Sequence, residues 1–133
     1  MIALEQLKLL VNLAMVDGNL ALDEKQFIKN IGKAHGYPES SVETLFYAEH
    51  PIIIPEKLNT DQRIDYALTL TQLMLLDKKM FLKEIEFCSD IVERLGFERT
   101  FVYRLVDKVG ESSIDTHILE TLRSEARDFL KSK

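Results

Sequence analysis

Two short stretches of this chain place carboxylates at one spacing. Residues 14–28 read AMVDGNLALDEKQFI and residues 74–88 read MLLDKKMFLKEIEFC. Each carries an Asp and then, seven positions on, a Glu: Asp17 with Glu24, and Asp77 with Glu84. Carboxylate oxygens are hard donors, so these four side chains brought together would suit Mg²⁺ or Ca²⁺. Without a cation they would repel, and some would keep their protons. Lys78, Lys79 and Lys83 stand in the second stretch and can neutralise it with no metal. A structural reading competes and is favoured. A helix that starts near Ala21 puts Glu24 at its third position, where a carboxylate meets unpaired N–H groups and the positive end of the helix dipole. Asp17 would then tie down the preceding turn through an Asx bond. Gly18 would supply a positive φ, and Asp77 and Glu84 follow the same account. Lys78 stands where the first stretch has Gly18, at a cost of about 1 kcal/mol if its backbone is left-handed.

No other grouping reaches that level. His35, His50 and His117 have no HxxxH spacing, and no Gly-rich phosphate loop or nucleophile setting is present. Asp17, Asp23 and Glu24 could be imagined as acid–base carboxylates, but structural ion pairs crowd carboxylates too. Cys88 is the single cysteine, so there is neither an internal disulfide nor a CxxC site, and a reducing cytoplasm fits. The expectation is a chain with no catalytic residues.

The elements that must hold these residues read as helices throughout. Pro and Gly number only three and five, and apolar residues recur at helical spacing. The pattern predicts about seven helices. The first covers 2–16, with Glu5, Lys8 and Asn12 as a narrow polar stripe on an otherwise apolar and therefore largely buried rod. The second covers 21–35, with Phe27, Ile28 and Ile31 inward and Gly36 as its stop. The third covers 39–49, with Val42, Leu45 and Phe46 inward. The fourth covers 60–76, capped by Asn59 or Thr60, with a polar stripe of Asp61, Asp65, Thr69 and Gln72. The fifth covers 81–95, with Leu82, Ile85, Cys88, Ile91, Val92 and Leu95 along one face and Gly96 as its stop. The sixth covers 98–109. The last, capped by Ser112 or Ser113, runs to about 131 with Ile114, Ile118, Leu122, Ala126, Phe129 and Leu130 as its stripe. Tyr47, Tyr66 and Phe129 read as core or core-edge residues. Between the third and fourth helices, HPIIIPEKLN (50–59) reads as a connector held across the core by its isoleucines, because Pro55 biases Ile54 to an extended backbone.

Shifting the chain by sixty positions lays one half on the other. Leu10 meets Leu70, Leu13 meets Leu73, Asp17 meets Asp77 and Leu22 meets Leu82. Glu24 meets Glu84, Phe27 meets Phe87, Ile31 meets Ile91 and Gly36 meets Gly96. Val42 meets Val102 and Leu45 meets Leu105. Shared amphipathicity would match the apolar positions, but not the Asp, the Glu and the terminal Gly in one register. The expected fold is therefore a single all-α domain over 1–133, a multihelical bundle. It is built from a duplicated three-helix unit (about 2–49 and 60–109) plus a C-terminal helix that closes an open side. The two longest apolar rods, 2–16 and 60–76, are expected to pack together about a pseudo-twofold axis, which would bring the two acidic motifs into one place.

The run DGNLALDE also matches the second half of an EF-hand loop. The first half of such a loop would need oxygen ligands at Leu13 and Met15, so that reading fails. The pattern Ala14, Asp17, Gly18, Leu20, Glu24, Phe27, Ile31 and Gly36 resembles the TerB-like, tellurite-resistance-associated family, which includes the N-terminal domain of a membrane-anchored DnaJ-like co-chaperone. The resemblance covers most of residues 2–109. It departs at Ala21-Leu22, where the family often has Ser-Pro or Thr-Pro, and at Lys78-Lys79, where Gly-x is expected. It implies a duplicated helical fold, a stress-related or envelope-linked role, and a cation site at Asp17, Glu24, Asp77 and Glu84.

Composition narrows the partners. The net charge is −5 over 133 residues. No basic stripe is present to displace counterions from phosphates, so nucleic acid is not an expected partner. The acidic balance disfavours anionic lipid, and no apolar run nears the ~20 residues that span a bilayer. The start, MIALEQLKLLVNLAM, lacks a basic head and reads as a helix rather than a signal peptide. The functional expectation is a non-catalytic cytoplasmic interaction module with a protein partner. Homodimerisation is compatible with the pattern, and a divalent-cation-responsive protein is the alternative.

Overall fold

Apolar residues at helical spacing, interrupted by few Gly or Pro, leave the backbone one way to satisfy its own hydrogen bonds while burying those side chains. The structure, a computed structural model, describes residues 4–16, 20–55, 57–76, 82–111 and 116–130. Those residues form an all-α fold of seven α-helices. They are α1 (Leu4–Ala14), α2 (Leu22–Ala34), α3 (Glu39–Leu45), α4 (Thr60–Met74), α5 (Leu82–Arg94), α6 (Phe101–Glu111) and α7 (Thr116–Ala126). A 3-10 turn over Arg127–Phe129 follows α7. No helix among the described residues is long and apolar enough to cross a membrane.

The chain gathers into two compact units, Met1–Ile54 and Pro55–Lys133, divided inside the proline-bracketed connector. In the first, α1 packs on α2 and α3, and α2 packs on α3. Leu7, Leu10, Ile28, Val42, Leu45 and Phe46 are buried in it. On α1 the polar stripe is as narrow as its sequence demands, with Glu5, Lys8 and Asn12 half-buried and Leu7, Leu9, Leu10, Val11, Leu13 and Ala14 buried. Gly32 lets α2 and α3 close up, since a Cβ there would lie 2.6 Å from Val42 Cγ2.

In the second unit α4 packs on α5, α6 and α7, α5 packs on α6, and α6 packs on α7. Asn59 caps α4 with a full capping box: its side chain accepts from Gln62 N at 2.8 Å, while its own N–H donates to Gln62 Oε1 at 2.9 Å. Thr69 is buried rather than part of a wet stripe, because its hydroxyl donates back to Asp65 O at 2.7 Å. The predicted stripe of the last helix holds at Leu122 and Ala126, which are buried, and in part at Ile118 and Phe129, which are half-buried, but Leu130 is exposed. Ile114, Ser112 and Ser113 lie outside the described residues. Phe97, Phe101 and Phe129 form a tilted stack, with centroids 4.8 Å and 5.1 Å apart. Glu98 N–H donates to Phe129 O at 2.6 Å, and Phe97 forms an isolated antiparallel bridge with Leu130.

One pair of helix endings is the same in both units. After α2, Tyr37 N–H donates to Gly32 O at 2.9 Å and Gly36 N–H to Lys33 O at 3.1 Å. After α5, Phe97 N–H donates to Val92 O at 3.2 Å and Gly96 N–H to Glu93 O at 3.0 Å. These are two Schellman caps. They turn on Gly36 at φ 89° and Gly96 at φ 99°, as the glycine stops predicted.

Several expectations need correction. Leu82, placed on the inward face of α5, is 70% exposed, and Tyr47, read as core or core-edge, is 76% exposed. Phe27 and Ile31 on α2 and Ile85 on α5, all predicted inward, are half-buried. α3 stops at Leu45 rather than reaching 49, because Phe46 and Tyr47 already bond three residues back, to Glu43 O and Thr44 O. α6 starts at Phe101 rather than 98 for the same reason: Phe101, Val102 and Tyr103 donate to Glu98, Arg99 and Thr100. In the connector Ile52 and Ile54 are half-buried, while Ile53 is 47% exposed.

Candidate functional site

Of the four acidic residues singled out from the sequence, Asp17 and Asp77 lie outside the described residues, as does Gly18. Glu24 and Glu84 are described, and both are buried. α2 opens at Leu22 after Ala21, whose backbone is extended and whose side chain makes no cap. Lys25 N–H donates to Ala21 O at 3.0 Å, closing the first helical bond. Glu24 is therefore the third residue of α2, the position where a carboxylate is favoured by the first-turn N–H groups. Glu84 is likewise the third residue of α5. Burying a carboxylate is costly unless it is hydrogen-bonded or paired, and each of these two engages in an interaction. Among the described residues no group of three or more His, Cys, Asp or Glu side chains is placed to hold a metal.

Glu84 has a consequence one turn on. Cys88 is buried, and that burial, with the Glu84 charge as the smaller cause, pushes its thiol up to about 12. A thiol held in that state is a small apolar core group rather than a nucleophile.

Just before each buried glutamate stands an exposed leucine. Leu22 is 83% exposed and Leu82 is 70% exposed, each the first residue of its helix. Further large apolar side chains reach solvent at Tyr103, 61% exposed, and at Tyr47.

A polar cluster that sequence reasoning missed joins α2 to α3. Lys25 Nζ lies 2.7 Å from Glu43 Oε1, and Lys29 Nζ meets Glu43 Oε2 and stands 3.7 Å from Glu39. Tyr47 Oη donates to Glu43 Oε1 at 3.1 Å. Lys25 Nζ also sits 5.4 Å from the Phe46 ring centre and 5.8 Å from that of Tyr47. The hydrogen bond from Lys25, then that from Lys29, holds the Glu43 carboxyl down at about 2. Its signal was in the sequence as two complementary i,i+4 pairs, Lys25 with Lys29 and Glu39 with Glu43, on adjacent helices. In the second unit, Arg104 grips Glu125 with two bonds, the Nε to Oε2 bond at 2.8 Å, and keeps that carboxyl below its usual range.

No family model matches this chain, and no curated protein and no solved structure is similar enough to it to count as a relative.

Proposed function

We propose that this chain is a non-catalytic helical interaction module, working on a protein partner and resembling TerB-like domains. The observation that carries the reading is the pair Leu22 and Leu82. One leucine in water is ordinary. The same residue type at the first position of two helices, sixty positions apart, left in water both times, has no evident use in folding. Apolar side chains of that kind serve as anchors when a partner covers them. A cytoplasmic setting, a stress-related role and descent of both three-helix units from one ancestor belong to the same proposal. They rest on the single cysteine, the family resemblance, and the paired glutamates and Schellman caps. A second copy of the chain is one partner that would serve.

The test is affinity capture from native lysate with the wild type and with Leu22→Asp and Leu82→Asp, each first checked for unchanged helicity and melting. Partners, or a dimer in sizing experiments, that disappear with either substitution support the reading. Capture that is the same for all three proteins overturns it.

A second reading is favoured by the burial of Glu24 and Glu84: each Asp–Glu motif, Asp17 with Glu24 or Asp77 with Glu84, contributes to holding Mg²⁺ or Ca²⁺. It requires a rise in melting temperature with millimolar cation that a chelator reverses and that Glu24→Gln or Glu84→Gln removes. Identical melts with each ion and with the chelator leave those glutamates as helix-start residues.

A further inference from the structure

We draw no further inference here: the strongest candidate, the shallow pocket of about 140 Å³ between α4 and α7 lined by Asp61, Ile64, Asp65, Leu68 and Arg123, carries nothing, because Arg123 already meets Asp61 at 3.0 Å, its apolar floor is almost wholly buried, and nothing in the structure shows what would cover it.

Discussion

Lys25 on α2 and Glu43 on α3 meet at 2.7 Å, with Lys29 on the other carboxylate oxygen. Glu43 consequently titrates near 2 instead of its ordinary 4.5. A carboxyl whose pKa is lower in the folded chain stabilises fully above its unfolded value and loses that contribution as pH falls through its folded value. Lys25 is shifted up by the same contact, so its share is full below its ordinary value and is lost only as pH rises through the raised one. The first unit should therefore weaken as pH drops from about 5 to about 2. In acid titrations followed by thermal melting, Glu43→Gln should flatten that part of the curve. High salt should shrink the difference, since the pair is partly exposed. A variant curve parallel to the wild type over this window would show that Glu43 titrates normally.

Gly32 and Val42 supply a packing test. Alanine at 32 would force Val42 to move, and overpacking of this kind costs about 1–3 kcal/mol. Alanine's better helix propensity returns about 1 kcal/mol. A net loss of about 0–2 kcal/mol is expected in urea melts. The combination with Val42→Ala should be less harmful than the sum of the two singles. Strict additivity would mean the two helices do not approach closely at this point.

Gly36→Ala and Gly96→Ala probe the matched helix stops. At Gly36 an added Cβ meets nothing within 4 Å, so the whole cost is the backbone's. At Gly96 it meets the guanidinium end of Arg63 at 3.3 Å, a flexible group that moves easily. Both should lose about 1–2 kcal/mol, the price of a left-handed alanine. Asparagine, which tolerates that conformation better, should lose less. A large difference between the sites would mean that the two caps differ in spite of their shared hydrogen bonds.

Cys88 should resist thiol reagents at pH 8 in the folded protein and react at an ordinary rate once denaturant unfolds it. Glu84→Gln should change that little, since burial outweighs the Glu84 charge. Fast labelling under native conditions would mean that α5 opens readily or that the thiol lies nearer the surface.

Asn59→Ala should cost about 1 kcal/mol by removing the bond from Gln62 N–H to the Asn59 side chain, while the backbone N–H of residue 59 keeps its acceptor in Gln62 Oε1. Chemical denaturation measures it, and Asn59→Ser should recover most of the loss.

Much of this fold was legible because helices announce themselves through local chemistry. Gly36 and Gly96 were readable as stops because few other residues accept a positive φ, and Glu24 as a third helical residue because carboxylates gather there. The errors at Leu82 and Tyr47 share a cause. Periodicity says which residues share a face but not whether the core extends to the end of the helix. In the first turn of a helix a side chain leans toward the helix start, and Leu82, the first residue of α5, is exposed rather than buried in the core. Tyr47 lies beyond the tightened end of α3, where its ring leaves the helical register and its hydroxyl finds Glu43. The Lys25–Glu43 contact needed the pairing of α2 with α3, which no residue within either helix states by itself. Of the acidic motif only the two glutamates are among the described residues, since Asp17 and Asp77 lie outside them.

The link between Glu98 and Phe129 bears on the order in which the chain settles. α1, α2 and α3 follow one another closely and meet after short excursions of backbone. The seat of α7 against α4 must instead wait for segments farther apart along the chain to find each other, with more entropy to lose at closure, and Leu130, which bridges to Phe97, lies just beyond α7. The first unit should thus acquire protected amides early in refolding. The stretch from Arg127 to Leu130 should latch last, and pulsed hydrogen exchange would register the lag between them.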